Sequence, residues 1–134
     1  MFKIAAKILT CILLAIILFE GTRMIINPYV RSEGMVRTAL LKRTPMGTSM
    51  DEVIKYLEQN EKWTIKRISQ TSGFRHRGIQ PTETVGKKSI TVYLNSYRSV
   101  AYFYLLETDV TVFYGFDEDS KLIDIWAWKT TDSL

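Results

Sequence analysis

Few residues of this chain could carry catalytic chemistry. His76 is the single histidine and Cys11 the single cysteine, and Cys11 lies in the apolar N-terminal segment. A cysteine–histidine nucleophile or a histidine-based metal cluster therefore cannot be assembled. No serine lies in a G-x-S-x-G turn, and no glycine-rich phosphate loop follows a predicted strand. The sequence predicts a protein that is not an enzyme and that uses no cofactor and no metal.

Two polar segments could still bind an ion. His76 lies between two arginines, a setting that suits an anion better than a metal, although a solvated loop histidine is the simpler interpretation. The run Asp117 to Asp119 resembles a calcium loop in part. An EF-hand needs glycine at the sixth position and glutamate at the twelfth, and Leu122 and Trp128 stand there instead. We therefore interpret this run as an acidic hairpin turn.

Aromatic side chains offer a stronger signal, because residues alternate between the two faces of a strand. The positions expected to face a helix are Ile90, Val92, Leu94, Val110, Val112, Tyr114, Ile123, Ile125 and Ala127. The opposite face would then carry Tyr93, Tyr97, Phe113, Trp126 and Trp128, with Arg75 and Arg77 beside it. Large exposed apolar patches mark interaction sites, and Trp and Tyr dominate binding hot spots. The two arginines would suit an acidic partner. These seven residues are the predicted partner-binding site.

A competing interpretation is that another segment covers these aromatic side chains as a second, minor core. Either the segment from Thr71 to Lys88 or the residues before Thr44 could do so. The first of these contains several glycines and a proline and is predicted to be a long loop.

The strands that must position these residues are rich in β-branched and aromatic residues. They are predicted at Trp63 to Ser69, Ser89 to Tyr97, Val100 to Leu106, Thr108 to Phe116 and Leu122 to Lys129. Turn-forming residues separate the last two strands, so an antiparallel sheet of four or five strands is expected.

One helix of the domain has a clear start signal. Ser49 followed three residues later by Glu52 is a capping box, and Val53 and Leu57 then fall on one helical face. This predicts a helix from Met50 to about residue 60, packed on the sheet as an α+β two-layer fold. Residues 28–43 are interpreted as a connector with a weak apolar stripe, and residues 44–134 as the α+β domain.

Residues 1–27 form an apolar stalk. The run from Ile8 to Phe19 is shorter than the roughly 20 residues of a typical membrane span, but counting from Lys3 to Ile26 gives enough length for a tilted one. No Ala-x-Ala-like cleavage site follows the run. We therefore expect an uncleaved signal anchor, a single-pass protein of the cell membrane with its C-terminal domain exported. A cleaved signal peptide with a soluble product is the alternative.

Charge is nearly balanced, with 18 Lys and Arg against 14 Asp and Glu. This balance argues against a dedicated nucleic-acid binder. The two signs are separated along the chain, because the stretch from Lys62 to Lys88 is basic and the stretch from Glu107 to Asp132 is acidic. The two stretches could pair across strands. The basic stretch could instead face anionic lipid or an acidic wall polymer.

A family resemblance rests on short motifs between Thr44 and Lys129. These motifs are Gly47-Thr48, Val53 and Leu57 on the following helix, Trp63 at the start of the sheet, and the strand–turn–strand from Val112 to Ile123. Together they resemble the BamE/SmpA group of small envelope proteins, whose scaffold of helices on an antiparallel sheet is similar to that of β-lactamase inhibitory proteins. The chain lacks that group's lipid-attachment cysteine. The resemblance implies a non-catalytic binding domain at the cell envelope.

The sequence thus predicts a membrane-anchored domain that binds another envelope protein or a peptide. An inhibitor or immunity-type protein that neutralises an enzyme is the alternative function, because the same scaffold would serve it.

Overall fold

The computed structural model describes residues 1–132 and has an α+β fold, as the sequence predicts. A 25-residue helix, α1, precedes a domain of two helices, a four-stranded antiparallel sheet and a small two-stranded sheet. The helices are α1 (Phe2–Ile26), α2 (Glu33–Arg43) and α3 (Met50–Glu58). The strands are β1 (Thr64–Ser69), β2 (Phe74–His76), β3 (Glu83–Val85), β4 (Lys88–Arg98), β5 (Glu107–Phe116) and β6 (Leu122–Thr131).

The α1 helix is long and apolar enough to cross a membrane, and the domain buries none of its side chains. The helix lies within residues 1–27, the segment that the sequence identifies as an apolar stalk. A short 3-10 turn at Pro28–Val30 separates it from α2.

The main sheet has the order β1-β4-β5-β6, with every neighbouring pair antiparallel. Its core side is lined by residues that alternation places there, including Ile90, Val92, Val110 and Val112, each 0% exposed. Helices α2 and α3 cover this side with Val36, Leu40, Val53 and Leu57, all buried in the same cluster.

The capping box at the start of α3 is present. Ser49 Oγ accepts a hydrogen bond from the Glu52 amide, and the Glu52 carboxylate accepts one from the Ser49 amide. Both contacts satisfy amides that the first turn of a helix leaves without partners. The local sequence therefore marks where α3 begins, and the Met50 amide, which donates to the Ser120 carbonyl at 2.8 Å, ties this end of the helix to the β5–β6 turn.

Residues 28–43, interpreted from the sequence as a connector, contain helix α2. This helix belongs to the layer that covers the sheet. Arg37 ties α2 to β6, because its Nε donates to the Ile125 carbonyl at 2.8 Å and its Nη2 lies 2.8 Å from Asp124 Oδ1. Glu33 accepts a hydrogen bond from the Lys129 amide on the same strand. These contacts occupy backbone groups at the free edge of β6.

The strand predicted from Val100 to Leu106 is wrong. Val100–Tyr102 forms a 3-10 turn capped by the Ser99 side chain, and Phe103 and Tyr104 have φ angles of +51° and +57°. Left-handed residues cannot continue an extended strand. The segment is the loop that joins β4 to β5, so the main sheet has four strands.

Ile123 was expected to face the core, and the structure corrects this. A β-bulge pairs Phe116 with Leu122 and Gly115 with Asp124, which leaves Ile123 as the extra residue. Leu122 is consequently 2% exposed and packs in the core, whereas Ile123 is 43% exposed.

The region from Thr71 to Lys88, predicted to be one long loop, contains the β2–β3 hairpin. Phe74 pairs with Val85 and His76 with Glu83. This hairpin lies against the helix-free side of the main sheet, with Phe74 buried there. The competing interpretation, a minor core under this segment, is therefore partly correct.

Candidate partner-binding pocket

A group of stacked aromatic rings lies on the helix-free side of the main sheet. Phe113 on β5 pairs in register with Trp126 on β6, and their ring centroids are 5.1 Å apart at an interplanar angle of 22°. Trp128 lies two residues further along the same face and stacks on Trp126 at 5.2 Å and 21°. Alternation along β5 and β6 therefore builds a continuous aromatic surface from three side chains.

The β2–β3 hairpin covers one end of this surface. The His76 ring stacks on the Trp126 indole, and the Phe74 ring lies 5.7 Å from that of Phe113. Gly115 makes room for this arrangement, because a Cβ there would lie 2.9 Å from the Phe74 ring. Trp126 is only 7% exposed as a result, so its ring also packs the hairpin on the sheet.

Beside the covered end, the surface opens into a pocket of about 440 Å³. Its floor is formed by Phe113, Trp126 and Trp128, and its other walls include the arginines Arg67, Arg75 and Arg77 and the hydroxyl-bearing residues Ser72, Thr84, Ser89 and Thr91. No carboxylate is among the described residues that line it. The pocket offers aromatic faces, hydroxyl groups and three positive charges.

Two of the three arginines were identified from the sequence, and each has a different setting. The Arg77 guanidinium lies 5.5 Å from the centroid of the Trp128 ring, which is within the range of a cation–π contact. Arg75 is exposed on the middle of β2.

Sequence reasoning missed Arg67. A bulge in β1 at Lys66 shifts the register, so that Arg67 pairs with Thr91 on the helix-free side. The one available signal was its membership of the basic stretch from Lys62 to Lys88. Alternation counted from Trp63 without the bulge gives the wrong face for every residue of β1 after Lys66.

Tyr93 lies on the predicted face but outside the pocket. It pairs with Thr111, which in turn pairs with Trp128, so all three side chains share the helix-free side. The Lys66 ammonium lies 5.6 Å from the centroid of its ring.

Tyr97 does not lie on this face, so the face predicted for it is wrong. A bulge at Leu94 pairs Tyr93 with Thr111 but Asn95 with Val110. The side chains after Leu94 therefore point to the face opposite the one that regular alternation gives. Tyr97 therefore packs against the edge of the main core. Its hydroxyl accepts a hydrogen bond from Lys129 Nζ at 2.9 Å, and the Arg23 guanidinium lies 5.9 Å from the centroid of its ring.

Outside the pocket, acidic side chains cluster where β5 begins. Burial raises the pKa of the Asp109 carboxyl above its usual value, and the nearby carboxylates of Asp132 and Glu107 raise it further. This cluster and the three pocket arginines give the helix-free side regions of opposite charge.

Comparison of the chain with protein-family models, curated proteins and solved structures finds no match. The resemblance to the BamE/SmpA group accordingly stays a prediction.

Proposed function

We propose that this chain is a non-catalytic, membrane-anchored binding protein of the cell envelope. Its pocket would hold an acidic segment of another envelope protein or a peptide. The observation that carries the proposal is the composition of the pocket, in which Arg67, Arg75 and Arg77 surround an aromatic floor with no carboxylate among the described lining residues.

An acidic polypeptide segment fits these groups better than a neutral or basic one. A guanidinium can bind a carboxylate through two parallel hydrogen bonds, and such bonds are stronger than those between neutral groups. The aromatic floor supplies apolar contact area to the side chains that flank the acid. A pocket of about 440 Å³ has room for a few side chains, which suits a short segment.

Anchoring is proposed through α1, with the domain on the exported side. The helix has the length and composition of a membrane span, and Lys3 and Lys7 lie at its N-terminal end. Basic residues before a first apolar segment favour retention of that end in the cytoplasm.

Two titrations test the proposal on the full-length chain in detergent micelles. The first uses a fluorescently labelled peptide rich in glutamate, and the second uses its counterpart with glutamine at every glutamate. We expect saturable binding of the acidic peptide that weakens as salt is added, and much weaker binding of the neutral peptide. Equal binding of the two peptides would overturn the assignment of an acidic ligand.

Variants then locate the binding site. Trp128→Ala and Arg75→Gln should each weaken binding of the acidic peptide, because both residues line the pocket. Lys42→Gln is the matched control, since Lys42 is exposed on α2, away from the helix-free face. Trp126 is unsuitable for this purpose, because replacing so buried a ring would also disturb the fold. If the control weakens binding as much as Arg75→Gln does, the pocket is not the site.

A further inference from the structure

The loop that joins β4 to β5, Ser99 to Leu106, is apolar and largely exposed. It contains no charged residue, and Arg98 and Glu107 stand immediately outside it. Phe103 is 82% exposed, and Val100, Tyr102 and Leu105 are exposed as well. Loops at a water-facing surface are normally polar. These side chains are therefore better suited to an apolar or interfacial environment than to water.

The structure holds this loop beside the C-terminal part of α1. The Tyr104 hydroxyl donates a hydrogen bond to Glu20 Oε1 at 2.7 Å, and its ring meets the Phe19 ring edge-on at 6.1 Å. Arg23 bridges the same elements, because its Nη2 donates to the Arg98 carbonyl at 2.7 Å and its Nη1 lies 2.8 Å from Glu20 Oε1.

Burial along α1 is consistent with this contact. The partly covered positions are Ile16, Glu20 and Arg23 in the second half of the helix and Asn27 at its C-cap. Their spacing of three and four residues places them on one helical face. The remaining side chains of that half are exposed, so one stripe of the helix is turned towards the domain.

Helix length gives the depth at which the loop lies. At about 1.5 Å per residue, the 18 residues from Phe2 to Phe19 extend about 27 Å, close to the roughly 30 Å of a bilayer's hydrocarbon core. Lys3 and Lys7 lie in the first turns of this segment, where their long side chains can extend the ammonium groups to the cytoplasmic headgroups. Glu20 and Arg23 then fall at the boundary with the headgroups. Tyr104, which contacts both Phe19 and Glu20, must lie at the same level. Aromatic side chains are enriched at this depth.

The backbone of the loop is also suited to a drier environment. Within the turn, the amides of Ala101, Tyr102, Phe103, Tyr104 and Leu105 each donate a hydrogen bond to Ser99, Val100 or Tyr102. Amides that are already paired cost much less to move out of water than unpaired ones.

We infer that the β4–β5 loop inserts into the lipid bilayer, at the headgroup boundary of the leaflet in which α1 ends. Phe103 and Leu105 would reach towards the acyl chains, and Tyr102 and Tyr104 would lie among the headgroups. The inference rests on the anchoring proposed for α1 and is independent of the ligand proposed for the pocket. The loop would then be a second contact between the chain and the membrane, in addition to α1.

Fluorescence depth measurements on the full-length chain test this inference. In a Cys11→Ala background, single cysteines replace Phe103 or Leu105 in the loop and are labelled with an environment-sensitive fluorophore. Leu14→Cys in α1 is the membrane reference, and Asp119→Cys, in the β5–β6 turn at the other end of the sheet, is the aqueous reference. Each protein is reconstituted in vesicles of phosphatidylcholine and phosphatidylglycerol, with or without lipids that carry a quenching spin label.

The expected result is blue-shifted emission and clear quenching by the spin-labelled lipid at residues 14, 103 and 105, and neither effect at residue 119. If residue 14 is quenched while both loop positions behave like residue 119, anchoring stands and loop insertion is overturned. If residue 14 also behaves like residue 119, α1 does not span the bilayer, and both the anchoring and the loop insertion are overturned.

Discussion

The imidazole ring of His76 lies on the indole of Trp126, with ring centroids 4.3 Å apart and planes inclined by 17°. This contact joins the β2–β3 hairpin to the main sheet, and it is reinforced by Phe74. A stacked aromatic pair contributes about 0.5–1.5 kcal/mol beyond its buried area.

We therefore expect His76→Ala to lower the free energy of unfolding by about 1 kcal/mol and to shift tryptophan emission to longer wavelength, as Trp126 gains contact with water. His76→Phe keeps a stacking ring but loses the hydrogen bond that His76 Nδ1 accepts from the Gly78 amide, so it should cost less stability than His76→Ala. Denaturant unfolding followed by fluorescence measures both effects. No change in His76→Ala would mean that Phe74 alone holds the hairpin on the sheet.

The bulge at the start of β6 gives a second prediction, since neighbouring apolar residues should respond very differently. Leu122→Ala removes a fully packed side chain and should cost about 2–5 kcal/mol. Ile123→Ala truncates a side chain that is 43% exposed, and it should lower the free energy of unfolding by about 0.5 kcal/mol at most. Chemical denaturation of the two variants makes the comparison. Similar losses would show that the bulge is absent and that β6 alternates regularly.

Asp109 gives a prediction about pH. Its pKa is raised in the folded state from the ordinary value of 3.8, so the folded protein holds this proton more tightly than the unfolded chain does. Stability associated with Asp109 is therefore greatest at low pH and falls as the pH rises from below 3.8 through the folded-state pKa. Above that pKa, the ionised carboxylate destabilises the fold.

Asp109→Asn should accordingly raise the melting temperature at pH 7, and the gain should disappear at a pH below both pKa values. Thermal unfolding across that range measures it, with the exposed Glu118→Gln as the control. A gain that persists at low pH would have to come from something other than charge.

Elements set by local signals were predictable from the sequence. The capping box at Ser49 and Glu52 identified the start of α3, and alternation placed Val92 and Val112 in the core. Bulges were not predictable, because one inserted residue carries no mark in the sequence and reverses every later side chain of its strand. This is why Tyr97 and Ile123 were assigned to the wrong faces, and a bulge likewise places Arg67 on the helix-free side, where regular alternation from Trp63 would not put it.

Two further errors have a different cause. The β2–β3 hairpin has strands of only three residues, too short for a periodic pattern to stand out from a glycine-rich segment. The β4–β5 loop has the composition of a strand although it forms none. If it inserts in lipid as inferred, its apolar residues serve an environment outside the chain, which a pattern of internal burial cannot reveal.

If α1 spans the membrane as proposed, the contacts of Arg23 and Glu20 with Arg98 and Tyr104 also determine how far the pocket stands from the bilayer. At about 3.3 Å per residue, β4 carries the chain about 26 Å from Ser99 to the pocket wall at Thr91, less if the strand is tilted. Because these contacts hold the domain against α1, the distance of the pocket from the bilayer is fixed. On a flexible linker, that distance would vary. An anchored partner in the same membrane would need about eight extended residues between its own span and its acidic segment. Recognition would then depend on tether length as well as on charge.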